Sequence, residues 1–257
     1  LKSAIIQSVN NGKYLFPFSA SQVSEITQYP ITQRCESRLA FLSQISKNVY
    51  FANCIQTYEY RVESPLEVYE TLNSALPKLN ENALFANFIP HEQVVKYRSQ
   101  LGLDPAELNN LSGKEAVRKI DEAINSSIPP EIDAPRSIME ILEISKGITR
   151  EKFSPLWECL GKTEGIMTRG ADLQGIFSML ETFGYWPDSK GVYAKGSRFP
   201  DSQHLFDAQH CVKLVTNDKG MKNRAEAAYI VSGISTQVMF TKEFEHEIVE
   251  SDLPHQK

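Results

Sequence analysis

The stretch DSQHLFDAQHCVKLVTND, from Asp201 to Asp218, holds three aspartates and two histidines. Residue types of this kind serve a metal cradle, an acid–base pair, or the polar face of a helix. Asp201, His204, Asp207 and His210 stand three apart, which suggests four zinc ligands. Helix geometry argues against it, because at about 100° per residue three steps fall about 60° short of a turn. Asp201 and His210 would then face opposite sides, and only neighbours such as Asp201 and His204 could share a partner.

Asp218 is placed differently, after the apolar run CVKLVT, which reads as a buried strand. Ligands of open α/β sheets bind beyond the carboxyl ends of the strands. Asp201 follows Pro200 at the first turn of the preceding helix, and Glu25 follows an early strand by the same logic. Three carboxylates would thus converge on one sheet edge. Like charges held together raise one another's pKa, and a hard divalent cation removes that cost. Oxygen ligands favour Mg²⁺ or Mn²⁺ over zinc, and such ions can activate water and stabilise the leaving oxygen of a phosphodiester. Read singly, each acid also has an ordinary use: Asp201 and Asp218 as helix caps, Glu25 as a solvated first-turn acid.

The elements that must position these acids follow from periodicity. Residues 2–11 carry Ala4, Ile5 and Val9 at helical spacing and stop at Asn11-Gly12. KYLFPFS reads as a short strand, and a helix opens at Ser19 or Ser21. Cys35, Leu39, Leu42 and Ile45 mark the buried face of a helix over 32–47, and VYFAN reads as a second strand. From about 60 to 185 the pattern is helix, turn, helix, at 65–75, 92–101, 105–110, 113–125, 135–147 and 152–183. After CVKLVT, the segment DKGMKNRAEAAYIVSGI predicts a helix ended by Gly233. TQVMF predicts a last strand, and the acidic tail from Glu243 is expected to fray. Strands alternating with helices at both ends predict an α/β parallel sheet, with the helical middle as an insertion.

The chain has 257 residues, 41% hydrophobic and 23% charged, which describes an ordinary globular protein with a sizeable core. No run approaches the roughly 18 consecutive apolar residues of a membrane helix, so no membrane is expected. The N-terminus has no basic region followed by an apolar core. Four cysteines (Cys35, Cys54, Cys159, Cys211) without a CxxC pair fit reduced thiols and a cytoplasmic location. A net charge of −5 argues against a general nucleic-acid coat but not against a nuclease whose own site is acidic.

In these segments the chain resembles the PIN-like nucleases. PFSASQVSEI is similar to that family's second strand and helix, with Glu25 as the acidic residue. DSQHLFDAQHCVKLVTND resembles its Asp-opened helix, followed by a strand ending Thr-x-Asp. NRAEAAYIVSGISTQVMFTKEF is similar to its last helix and strand. The resemblance implies a PIN-like parallel sheet flanked by helices, built from 1–51 and 186–245, around a helical insertion at 52–185, with a tail at 246–257. It implies Glu25, Asp201 and Asp218 as ligands of Mg²⁺ or Mn²⁺, with Asp207 as fallback if the register shifts. Thr216 and Asn217 would orient water or a metal-bound oxygen, and Lys219, Arg224 and His204 would meet the substrate.

The activity implied is metal-dependent cleavage of RNA, as in toxins and phage-defence effectors, on tRNA or mRNA. An inhibitory or activating protein partner and a homo-oligomer go with that reading. The family's first acid, carried on a first strand, is expected upstream of Leu1; otherwise Glu143 or Asp172 of the insertion is the replacement. Two alternatives stand beside it: a non-catalytic interaction protein on a decayed nuclease fold, and a DNA nuclease.

Overall fold

The N-terminal apolar spacing produces α1 (Lys2–Asn10), which ends at Asn11 before Gly12 takes a left-handed φ of +70°. Ser19 is the cap of α2 (Ala20–Ile26), and Gln22 Oε1 accepts from the Ser19 amide at 2.7 Å. These elements are seen in a computed structural model, which describes residues 1–27, 33–53, 58–75, 90–144, 166–191 and 198–251. The helices expected over 145–165, and Cys54 and Cys159, lie outside the described residues.

Next come α3 (Gln33–Ser46), β1 (Val49–Asn53), β2 (Tyr58–Val62) and α4 (Pro65–Ala75). Cys35 and Leu39 of the expected face of α3 are buried, and Leu42 packs on the core of Phe18, Val23 and Val68. KYLFPFS does not form a strand. Phe18 alone makes a parallel bridge to Tyr50, donating to the Val49 carbonyl at 3.1 Å. Pro17 has no amide to donate, which limits the ladder to that single step. β2 was not expected from the sequence; it pairs antiparallel with β1, Phe51 opposite Tyr60.

The second half runs α5 (His91–Gln100), α6 (Pro105–Leu108), α7 (Gly113–Ser127), a helical stretch at 138–144, and α8 (Ile166–Phe183). It continues with α9 (Arg198–Ala208), β3 (Lys213–Thr216), α10 (Lys219–Val231), β4 (Gln237–Phe240) and α11 (Thr241–Ser251). The tail expected to fray from Glu243 is therefore helical through Ser251, because Phe244 and Ile248, four apart, are buried. Tyr14 stacks edge-on against Phe244 at 5.3 Å and donates to Glu247 at 2.8 Å.

Contacts divide the chain into two units, Leu1–Asn80 with Met239–Lys257, and Glu81–Val238. This is not the division expected from the sequence, in which 1–51 and 186–245 enclosed an insertion at 52–185. The helices expected as an insertion share one core with the later elements. On α7, Ala116, Ile120 and Ile124 recur every four residues, and each is buried in the cluster that holds Phe177, Leu205 and Ala228. Burying one such Ile contributes roughly 1.5–3 kcal/mol, so that stripe ties α7 to α10 more strongly than any loop boundary could part them. The approach is close: a Cβ on Gly113 would come within 2.8 Å of the Ala227 Cα.

The sheet content is small. Among the described residues, β1 pairs with β2 and β3 with β4, each in a two-stranded sheet, and the β3–β4 sheet is parallel. The Gln237 amide donates to the Val212 carbonyl at 3.0 Å. The protein is a mixed α/β protein that is mostly helical, so the larger flanked parallel sheet is not what the described strands build.

Candidate functional site

The end of β3 is shaped by its own polar side chains. Thr216 Oγ1 accepts from the Asp218 amide at 3.1 Å, which turns the chain through Asn217. Asp218 is the N-cap of α10, extended at φ −78° and ψ 119°, and its Oδ1 accepts from the Met221 amide at 2.7 Å. The cap is therefore real, and the carboxylate is exposed as well. The Thr216 hydroxyl also approaches the Met221 sulfur at 3.6 Å, so it serves the turn; orienting a water or metal-bound oxygen was the role expected of it. Asn217 is exposed at the apex.

Asp201, in the first turn of α9, faces this edge. Its pKa is pushed up to about 6, chiefly by burial, with the charges of Asp218 and Asp188 adding to the rise. Arg224 and His204 act in the opposite direction. The structure thus brings Asp201 and Asp218 within electrostatic reach of each other and adds an acid not foreseen from the sequence, Asp188. Glu25 lies on the first unit, exposed in the last turn of α2. Asp207, the fallback, acts instead on Cys211 and Tyr229, both raised first by burial and further by its charge. Asp172 is half-buried on α8, and Glu143 is exposed.

Arg224 is not a substrate-facing cation. It is 1% exposed, and its guanidinium pairs with Glu181 at 3.1 Å and Asp188 at 3.2 Å. It lies 4.4 Å over the Phe177 ring, a cation–π contact in a dry setting. The helix pattern explains the placement, since Met221, Arg224, Ala225 and Ala228 form one buried face of α10. A buried guanidinium there needs buried carboxylates beside it. Glu181 could have been found from sequence: it is the single acid within GIFSMLETFGYW, and an isolated charge in an apolar helix signals a buried partner. Asp188 carries no such signal in WPDSK.

Lys219 is exposed, with its ammonium 4.4 Å over the Trp186 ring. His204 is half-buried one turn after Asp201. Gly220 leaves the edge open: a Cβ there would meet Asp218 Oδ1 at 3.3 Å and Arg224 Nη2 at 3.6 Å.

Among the described residues no three His, Cys, Asp or Glu side chains are gathered to cage an ion by themselves. The donors still suit Mg²⁺, which is commonly held by one or two carboxylates together with substrate phosphates. Asp201 and Asp218 could supply two hard oxygen ligands.

No protein-family model, curated protein or solved structure matches the chain. No helix among the described residues is long and apolar enough to cross a membrane.

Proposed function

We propose that the chain is a metal-dependent phosphodiesterase acting on RNA, of the PIN-like kind, with its site on the Asp201–Asp218 edge. The observation that carries the reading is the meeting of two acids from separate elements, one opening α9 and one ending β3. There Asp201 is half-buried, and its pKa is pushed up to about 6, chiefly by burial, with the charges of Asp218 and Asp188 adding to the rise. Perturbed carboxylates at a strand end are a recurring mark of active sites.

Asp201 and Asp218 would hold Mg²⁺ or Mn²⁺, which supplies activation of water and stabilisation of the leaving oxygen. The chain's own residues do the positioning. The Met221 amide and the Thr216 hydroxyl fix the Asp218 carboxylate and the turn that bears it. Arg224 anchors Asp188 beside the edge, and His204, whose charge acts on Asp201, would meet a phosphate oxygen or the leaving group.

The test is cleavage of a labelled single-stranded RNA with Mn²⁺ by the wild type, Asp201→Asn and Asp218→Asn. Asn caps a helix about as well as Asp, so Asp218→Asn should fold normally and lose cleavage. Undiminished cleavage by both variants, or none by the wild type on RNA or DNA, would remove the nuclease reading and favour a non-catalytic interaction protein. Cleavage of DNA alone would move the substrate.

A further inference from the structure

Trp186 stands beside the acidic edge in a conformation that its own residue type disfavours. Its φ is +49°, in the left-handed region, where a bulky side chain is a genuine outlier. Gly184, two residues before it, is also left-handed, at +100°. Two side chains from other elements hold this turn. Arg98 of α5 donates to the Glu181 and Thr182 carbonyls at 3.1 and 3.2 Å, closing the end of α8. The same Arg98 fills the space at Gly184, where a Cβ would lie 2.8 Å from its Cδ. Asn109 Oδ1 accepts from the Trp186 amide at 2.7 Å. Strain held this firmly gathers where a side chain must be presented in one direction.

What Trp186 is presented to is the start of α10. Its carbonyl lies 3.7 Å from the position a Gly220 Cβ would take, next to Asp218 Oδ1. Its ring packs partly on the core and is covered by the ammonium of Lys219, an exposed residue. Lys219 itself breaks a local rule. A cation in the first turn sits at the positive end of the helix dipole, where acids are favoured. Two departures from local preference, in contact with each other and one residue from Asp218, call for one explanation.

We propose that Trp186 and Lys219 grip a nucleotide next to the bond that the Asp201–Asp218 edge addresses. The indole stacks a base of single-stranded RNA, and Lys219 swings from the ring to a backbone phosphate. Only an unpaired base offers its face in this way, so the pair selects single strands. This inference rests on the nuclease reading for its substrate class, but its test is separate from cleavage.

The chain has two tryptophans, Trp157 and Trp186. In an Asp201→Asn, Trp157→Phe background without metal, Trp186 is the single indole and no cleavage intervenes. Titration with oligouridylate should quench its fluorescence to saturation, because stacking on a base quenches an indole. Trp186→Ala, followed by anisotropy of labelled oligouridylate, should weaken binding about tenfold, a stacked base being worth that much on removal of its platform. Trp186→Phe should retain most of the affinity, which separates stacking from misfolding. Lys219→Gln should weaken binding less and lower the salt slope by about one phosphate contact.

Absence of a quench, or Trp186→Ala binding RNA as tightly as its parent, overturns the proposal. If the wild type cleaves RNA while Trp186→Ala keeps its KM, the grip fails and the nuclease reading stands. If nothing cleaves but the quench persists and needs Trp186, the nuclease reading fails and the grip stands.

Discussion

Two helices of the second unit pack against each other, α7 and α10, and each opens with a polar cap. Ser112 begins α7 with a complete capping box: its hydroxyl accepts from the Glu115 amide, and Glu115 Oε2 accepts from the Ser112 amide at 3.0 Å. That arrangement places an acid at the positive end of the helix and satisfies two amides reciprocally. Asp218 caps α10 by itself, and the next turn reads Lys-Gly-Met-Lys, with no acid and two cations. The first helix start also carries a cation, Lys114, but Glu115 in the same turn offsets it and completes the box. The second has no such acid and lies near Asp188, Asp201 and Trp186, and departures from local preference gather at working sites.

The sharpest way to break the comparison is through the buried cation behind the second helix start. Arg224→Met should destabilise the protein by about 3–5 kcal/mol, because Glu181 would be left charged and buried. Denaturant unfolding measures this, and adding Glu181→Met should recover most of the loss. A single variant as stable as the wild type would mean the ion pair is not formed in the folded protein.

Asp201→Asn comes next and has the opposite sign. The folded carboxyl titrates at about 6 against an ordinary 3.8. Its contribution is therefore fully present below pH 4 and is lost as pH rises through 6. At pH 7 the Asn variant should be more stable by about 3 kcal/mol, an order-of-magnitude figure from the size of the shift. Its stability should also lose the decline between pH 4 and 6, as melting curves across that range would record.

The two caps should respond alike in stability and differently in activity. Ser112→Ala and Asp218→Ala should each cost about 1 kcal/mol. Only changes at Asp218 should abolish RNA cleavage, Asp218→Asn doing so without the stability cost. The smallest effect belongs to the surface: Glu92→Gln removes an exposed pair with Lys190 and should leave Tm unchanged within error. A measurable drop would show that this pair belongs to a coupled network.

The sequence made some of this legible for definite reasons. Apolar spacing located α1, α3, α4, α7 and α10 closely, and the Thr-Asn-Asp step located the end of β3. β2 was missed because TYEYRV carries charges that read as solvent-facing, and its pairing depends on β1 lying alongside. The division into units was missed because it depends on which apolar faces meet, and periodicity reports only that a face exists. The boundary positions of Asp201, in the first turn of a helix, and Asp218, after a strand, could be read from the sequence. Arg224 was misplaced because charge was read without its position on the helix face, four residues before Ala228. Trp186 and Asp188 became visible only with the turn after α8, which side chains 77 to 84 residues away hold in place.

The near-contact of Gly113 with Ala227 sets a rule about which sequences this fold can accept. The atoms a Cβ at 113 would strike include the Ala227 Cα at 2.8 Å and its amide nitrogen at 3.0 Å, not only its Cβ at 2.9 Å. Shrinking residue 227 to glycine removes only the last of these, so no choice of partner makes room. The constraint is one-sided. In a library randomised at both positions and selected for folding, position 113 should return glycine almost alone, whatever small residue stands at 227. The two positions, though in contact, should show no covariation.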